Sequence, residues 1–291
     1  MRVALRVLAV GPLSTIQDLG RPGWFSVGVG VSGAADRRSL KLANRLVGND
    51  EAAAGIETLL GGLELRAEAP VLLAVTGAQA AITVDGVPQG HSSVIALQPD
   101  QRLRIGMATA GLRVYVAVRG GITVEPVLGS RSRDTLAGIG PQPLAAGAEI
   151  TVAPAGRLPW PNVEVAPVPA VESGVVTARV LLGPRDDWFA DARVLFRDSW
   201  QVTDRADRVG VRLARPEGAA GLRRVDDREL PTEGMPLGAI QVPPSGEPVV
   251  FLADHPITGG YPVVGTVLAA DVDLLAQARP GQHIRFVPSQ P

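Results

Sequence analysis

Residues 15–24, TIQDLGRPGW, set a carboxamide, a carboxylate and a guanidinium (Gln17, Asp18 and Arg21) among glycines and a proline. Such a set can grip a planar anion or an amide: an arginine fork matches carboxylate or phosphate, and glycine lets backbone N–H groups donate at close range. A second stretch of similar make-up, ADHPITGGYP at 253–262, carries Asp254, His255, Thr258 and Tyr261. Two more clusters add polar groups. VLGSRSRDTLAGIG at 127–140 places Arg131 and Asp134 among serines, a threonine and glycines, with Arg119-Gly120-Gly121 at a strand end upstream. ELPTEGMPLGAIQVPPSGEP contributes Glu233 and Gln241. Each cluster alone reads equally well as a solvated loop. The matching composition of 15–24 and 253–262 suggests comparable loops on two related units, and the expectation is that they line a common cleft.

Much chemistry is excluded by what the chain lacks. It has no cysteine, hence no thiolate nucleophile, disulfide or cysteine-ligated metal. Its only lysine is Lys41, in the helical-looking SLKLANRL, so a Schiff base or attached biotin would have to use that residue, and no phosphate loop ending in Gly-Lys-Ser/Thr exists. Of His91, His255 and His283, none has the neighbour at i+3 or i+4 that a helical metal site shows, and no metal is expected. His91 and His283 read as structural, whereas His255, between Asp254 and Pro256, is placed to handle a proton. Positive and negative residues nearly cancel, 28 against 29, which removes the attraction that dominates binding to nucleic acid or an anionic membrane. No apolar run reaches the roughly 20 residues needed to span a bilayer. The opening MRVALRVLAV alternates like a first β-strand, and a cytoplasmic location is expected.

The elements that must position these residues are mostly strands. Alternating or β-branched runs recur at 63–65, 71–76, 81–84, 94–97, 103–105, 112–118, 175–182, 249–252, 263–268 and 284–287, and Asp85-Gly86 between two of them predicts a hairpin. Helices are expected over about 34–47, with Ser32 as cap, and near 272–278, stopped by Pro280-Gly281. GVGVSG at 28–33 matches Gly-x-Gly-x-x-Gly but lacks the preceding buried strand and the βαβ unit of a dinucleotide site; its glycines suit a tight path into the helix, whose N-terminus could still receive an anion. The proline-rich 153–170 reads as a stiff linker between a domain at 1–160 and another at 171–291. A weak echo of PDQRLRI (99–105) in PGQHIRF (280–286) suggests that the two are related. The expected fold is mainly β, with barrels or sandwiches and a few short helices.

TIQDLGRPGW, GVSGAAD, ANRLVGN, IETLLGG, TGA, RGG, VLGSRSRDTLAG, EGMPLGAIQVP and DHPITGGYP occur in this order, and together they resemble the family of the 5-oxoprolinase C subunit, also known as KipA-like, allophanate hydrolase subunit 2 or biotin-dependent carboxyltransferase. The resemblance covers nearly the whole chain. It implies two cyclophilin-like β-barrel domains and a subunit of an ATP-dependent hydrolase that opens 5-oxo-L-proline to L-glutamate, inactive alone. The partners it implies are the KipI-like B subunit and the LamB/YcsF-like A subunit of that hydrolase, with ATP at or shared with a partner. On that reading Asp18, Asp254 and His255 handle protons, and Arg21, Arg119 and Arg131 neutralise charge. Gln17, Asp134, Glu233, Gln241, Thr258 and Tyr261 complete the substrate contacts. The same resemblance leaves two alternatives: a carboxyltransferase component using biotin on a separate carrier, and a regulatory protein binding a KipI-like kinase inhibitor. Many members have glutamine and threonine where this chain has His255-Pro256-Ile257, so a role resting on that glutamine does not carry over.

Overall fold

The computed structural model describes residues 2–156, 158–169, 171, 173–219, 221–225 and 228–289. The chain divides into two compact units, the first formed by Met1–Arg21, Ser32–Asp134 and Gly138–Val171, the second by Pro22–Val31, Thr135–Ala137 and Glu172–Pro291.

The first unit contains β1 (Arg2–Val10), β2 (Leu13–Gln17), α1 (Arg37–Leu46), β3 (Gly55–Leu59), β4 (Leu63–Ala67), β5 (Val71–Gln79), β6 (Ile82–Val84), β7 (Val87–Pro88), β8 (Val94–Leu97), β9 (Arg102–Ile105), β10 (Ala110–Val118) and β11 (Glu149–Val152). They form two sheets, ordered β11-β1-β4-β9-β6-β7 and β2-β3-β10-β5-β8. One apolar core joins both, with Leu5, Leu65 and Leu103 from the first sheet and Ile56, Val75 and Val116 from the second. β10 is buried on both faces, because α1 covers its other side through Ala43, Leu46 and Val47 against Ala74 and Ala117. That double burial is why Val114–Val118 reads as an apolar run and not as an alternation. Asp85 and Gly86, at φ of 49° and 83°, make the expected turn between β6 and β7.

The helix starts later than its sequence pattern suggests, and its cap is different. Asp36 caps α1, accepting from Ser39 N at 2.9 Å and Ser39 Oγ at 2.6 Å. Ser32 instead sits in the left-handed region at φ 56°, outside the extended range typical of a cap residue. The amides just before the helix are also taken: Ala35 N donates to Glu57 Oε2 at 2.9 Å, and Asp36 N to Tyr115 Oη at 2.8 Å. An external anion approaching this N-terminus would meet two carboxylates of the protein, Asp36 on Ser39 N and Glu57 on Ala35 N. Gly33 is required by close approach, since a Cβ there would lie 2.8 Å from Gly20 N.

Tyr115 donates to Glu57 Oε2 at 2.7 Å, and Arg113 Nε lies 3.6 Å from Glu57 Oε1, all of them buried. Burial first, and the Glu57 carboxylate second, hold the Tyr115 phenol well above its ordinary value of 10.0. The native state keeps a proton that the unfolded chain gives up. The resulting stability is thus fully present below about pH 10 and is lost as pH rises from there through the raised native value. Tyr115→Phe is expected to flatten that alkaline slope and to cost about 1–3 kcal/mol near neutral pH, by stranding Asp36 N–H. Urea unfolding curves across the alkaline range measure both effects; an unchanged slope would contradict this account.

The second unit contains β12 (Val176–Leu182), β13 (Trp200–Val202), β14 (Gly210–Ala214), β15 (Glu233–Gly234), β16 (Ala239–Gln241), β17 (Val249–Phe251), β18 (Thr258–Gly259), β19 (Val263–Val267), α2 (Ala269–Leu275) and β20 (His283–Pro288). Seven of these strands close a barrel in the order β12-β19-β16-β17-β14-β13-β20, β12 and β20 pairing in parallel. Inside and outside alternate along β12: Val176, Ala178 and Val180 are buried while Thr177 and Arg179 are exposed. β15 and β18 form a separate two-stranded ribbon.

The sequence echo has matching geometry in the two units. Gln101 Oε1 accepts from Gln98 N at 2.9 Å and Gln282 Oε1 from Arg279 N at 3.0 Å. In each case the glutamine carbonyl accepts from the end of a preceding strand, Ala67 N or Val202 N, at 2.9 Å. Asp100 and Gly281 share a left-handed backbone, at φ of 69° and 86°.

The proline-rich segment does more than space two units. Val94 N donates to Glu164 O and Ala166 N to Ser92 O, both at 2.8 Å, which lays residues 164–166 alongside β8.

Candidate functional site

In the first unit the polar residues after β2 converge on the loop at 130–133. The Asp18 carboxylate accepts from Gly20 N at 2.8 Å, Ser130 Oγ at 2.7 Å, Arg131 N at 2.6 Å and, through a short contact, Ser132 Oγ. Asp18 is 7% exposed and its lone pairs are taken by Gly20 of its own turn and by residues 130–132, so it acts as the hub that ties that turn to the 130–132 loop. Gln17 Nε2 donates to Thr15 Oγ1 at 3.0 Å and Arg133 O at 2.9 Å, and its buried Oε1 has no hydrogen-bond partner among the described residues. Arg21, also buried, donates from Nε to Val127 O at 3.4 Å and from Nη2 to Ser132 O. Arg131 turns its Nε onto Val124 O at 3.0 Å, and Asp134 shapes the turn through Gly138 N, which donates to its carbonyl at 3.1 Å.

Arg119 lies apart from this loop. Its Nη1 donates to Val47 O and Pro159 O, each at 2.8 Å, and its Nη2 to Leu158 O at 2.7 Å, while the guanidinium covers the Trp160 ring at 4.7 Å. It pins the proline-rich segment to the end of α1.

In the second unit Asp254 is the corresponding hub. Arg208 grips it through Nε to Oδ2 at 2.8 Å and Nη2 to Oδ1 at 3.0 Å, and Thr135 donates to Oδ2 from N at 2.9 Å and from Oγ1 at 2.7 Å. The pair is closed to solvent, the side chains being 5% and 0% exposed. His255 is also buried, with Nδ1 2.8 Å from Leu252 O, Nε2 3.0 Å from Met235 O, and the ring stacked on Phe251 at 5.8 Å. Both ring nitrogens thus face main-chain carbonyls, which join the Asp254 turn to the β15–β18 ribbon.

That ribbon gathers most of the remaining predicted residues. Glu233 opposes Gly259 across it, Thr258 is exposed on it, and Tyr261 follows, 46% exposed. Arg185 holds the Glu233 carboxyl below the usual carboxylate range by hydrogen bonding, Nε lying 3.0 Å from Oε1 and 3.2 Å from Oε2. Gln241 Nε2 donates to Tyr261 O at 3.3 Å. A Cβ at Gly259 would lie 2.5 Å from that nitrogen, so a glycine is needed where the glutamine crosses. Residues 22–31 belong to this unit, and a Cβ on Gly30 would lie 3.6 Å from both His255 O and Ile257 Cγ2. Gly30 thus lies beside the 253–262 turn.

Sequence reasoning did not single out Arg208 or Arg185, and it named Thr135 only as one member of the 127–140 cluster. Arg208 is 46 positions from its partner and Arg185 is 48 from Glu233, separations without a local signature. Among the described residues there is no group of three or more His, Asp or Glu able to hold a metal, and no helix long and apolar enough to cross a membrane.

Comparison with known proteins places this geometry in context. The family described as carboxyltransferase domain, subdomain A and B, matches residues 27–288. The C subunit of 5-oxoprolinase from Escherichia coli (strain K12) is 35% identical over 285 residues, 97% of this chain and 90% of that protein. The solved structure of TTHA0988 superposes with a TM-score of 0.85 at 36% identity, over 98% of this chain but only 56% of that one. The K. lactis urea amidolyase structure gives a TM-score of 0.88 at 31% identity, over 99% of this chain and 19% of the other. The chain therefore spans only part of either solved polypeptide.

Proposed function

The chain belongs to the carboxyltransferase-domain family, subdomain A and B, and from that premise we propose that it is the C subunit of an ATP-dependent 5-oxoprolinase. It would open 5-oxo-L-proline to L-glutamate together with the KipI-like B subunit and the LamB/YcsF-like A subunit. The observation that carries this reading is the end-to-end match with a free-standing C subunit, 97% of one chain against 90% of the other.

A five-membered lactam is a poor electrophile, and its hydrolysis needs the carbonyl activated and the ring's carboxylate held. The geometry supports a division of labour between residues that shape the loops and residues that meet substrate. Asp18, Asp254 and His255 are engaged by the protein's own groups, and their part is to fix loop shape. Arg131 in the first unit, and Gln241, Thr258 and Tyr261 in the second, are at least partly exposed, and each is of a type able to bind a carboxylate or an amide. Two carboxylates, Asp36 on Ser39 N and Glu57 on Ala35 N, stand at the start of α1, which disfavours a triphosphate there. The nucleotide is assigned to a partner subunit, or to a site completed by one.

The likeness to urea amidolyase favours a second reading, transfer of a carboxyl group carried on biotin. Lys41 Nζ lies 3.4 Å from Glu51 on the surface of α1, so the biotin of that reading would arrive on a separate carrier chain. Reconstitution with the KipI-like and LamB/YcsF-like partners separates the readings. Glutamate release requiring this chain, 5-oxoproline and ATP is expected; biotin-dependent carboxyl transfer without glutamate would support the second reading, and tight binding of the KipI-like partner without turnover would point to a regulatory protein.

A further inference from the structure

Two segments that carry the family resemblance, GVSGAAD at 30–36 and IETLLGG at 56–62, contribute none of the groups expected to meet substrate. They nevertheless meet inside the first unit. Glu57 on β3 accepts at Oε2 from Ala35 N at 2.9 Å and from Tyr115 Oη at 2.7 Å, and the same Tyr115 oxygen accepts from Asp36 N at 2.8 Å. Glu57 stands opposite Thr15 of β2 on one side and Tyr115 of β10 on the other, so residues 35 and 36 are fastened to the middle of a sheet and not to its edge.

From there the contacts lead outward. Ala34 N donates to Asp18 O at 2.9 Å, and Gly33 packs so closely on the same turn that a Cβ would lie 3.1 Å from Asp18 O. Asp18 Oδ2 accepts from Arg131 N at 2.6 Å. Ser32 Oγ donates to Arg133 O at 3.3 Å, an oxygen that also accepts from Gln17 Nε2 at 2.9 Å. Three hydrogen bonds thus lead from the Glu57 carboxylate to the main chain of Arg131. At the far end, the Arg131 side chain makes one hydrogen bond among the described residues, Nε to Val124 O at 3.0 Å, which leaves its two terminal nitrogens for a ligand.

We propose that Glu57 is a positioning residue for the reaction: through Ala35, Ala34 and Asp18 it holds the main chain of Arg131 where the guanidinium can grip the substrate's carboxylate. The proposal rests on the reading of this chain as part of a 5-oxoprolinase with Arg131 as its carboxylate fork. Glu57 is 4% exposed and touches no ligand itself. A buried carboxylate is costly unless its lone pairs are satisfied, and its bonds to N–H and O–H donors are then stronger than neutral ones. That strength suits a fastening point. A fork on a loop flanked by Gly129 and Gly138 gains precision only if its backbone is tied to a rigid element, because a misplacement of about 1 Å is enough to lose most of a contact's value.

The test is steady-state kinetics of the enzyme reconstituted with the KipI-like and LamB/YcsF-like partners, using wild type, Glu57→Gln, Tyr115→Phe, Arg131→Ala and each of the first two combined with Arg131→Ala. Loss of Arg131 is expected to raise KM for 5-oxoproline about 10-fold to 100-fold, the worth of a hydrogen bond to a charged group, with kcat changed less. Glu57→Gln and Tyr115→Phe are expected to raise KM in the same direction, by no more than that amount, and to add nothing once Arg131 is alanine. Tyr115→Phe keeps Glu57 beside Arg113 and Ala35, so it carries the comparison if Glu57→Gln fails to fold. Variants that melt at lower temperature yet keep the wild-type KM would show a role in stability alone and overturn the proposal. KM increases that persist in full in the Arg131→Ala background would also overturn it, since they would act by another route. Either result leaves the 5-oxoprolinase reading standing, whereas a wild-type assembly without turnover would overturn that reading and this assignment together.

Discussion

Replacing Arg208 by alanine is expected to lower the unfolding free energy by about 3–5 kcal/mol, because it leaves the Asp254 carboxylate buried without its counter-charge. The fork-to-fork geometry, 2.8 and 3.0 Å, and exposures of 5% and 0% place this pair in the regime where removing one partner costs far more than the pair's net worth. Asp254→Ala should be similarly destabilising from the other side, since it strands the guanidinium and both donors of Thr135. This changes what an alanine at 254 can report. From sequence alone, the expected result is lost turnover with the fold intact; with the pairing known, loss of activity and loss of stability come together. The double variant should be less destabilised than the two single losses summed, because neither charge is then orphaned. Urea unfolding of the four proteins decides the matter, and a single-variant cost below about 1 kcal/mol would show that the pair behaves like a surface salt bridge.

Asp18→Ala is the second large effect. It removes the acceptor for Ser130, Ser132, Arg131 N and Gly20 N at once, and the expected cost is at least about 3 kcal/mol, given roughly 1 kcal/mol for an ordinary buried hydrogen bond and more for one to a charge. The loop that carries Arg131 should loosen with it, so amide hydrogen exchange at 130–133 should accelerate while β10 remains protected. Asp18→Asn keeps an acceptor but turns an N–H₂ toward at least one donor, and an intermediate loss is expected. Exchange in the loop unchanged by Asp18→Ala would mean that the turn is held by its backbone alone.

Much of the fold was legible because strand signals are local. The apolar runs at 94–97 and 112–118 lie in β8 and β10, and the glutamine turns before β9 and β20 repeat in hydrogen bonding as they do in letters. Strands at 55–59, 200–202 and 210–214 were not anticipated. β3 hid its signal because its central residues are Glu57 and Thr58, polar yet buried, whose partners Tyr115 and Ser14 come from distant strands. The helix cap was misread for a similar reason. Ser32 has the right side chain but a left-handed backbone, a property set by its close packing and not by its residue type.

The candidate site was legible in its ingredients and not in their use. Gln17, Asp18, Arg21 and Arg131 do gather around one loop, and Glu233, Gln241, Thr258 and Tyr261 around one ribbon. The direction of each side chain depends on partners that no local pattern names. Arg119 faces carbonyls of the proline-rich segment, Asp254 faces Arg208, and both nitrogens of His255 face the backbone. Polar residues rich in hydrogen-bonding capacity are what catalysis needs, and they are equally what a glycine-rich turn needs to hold its shape.

The most direct test is the rate of glutamate formation from 5-oxoproline and ATP by the reconstituted enzyme, measured with and without this chain. The account predicts turnover that requires the chain and falls with loss of the Arg131 guanidinium or the Tyr261 ring. Equal turnover in its absence, or none with any combination of partners, would contradict it.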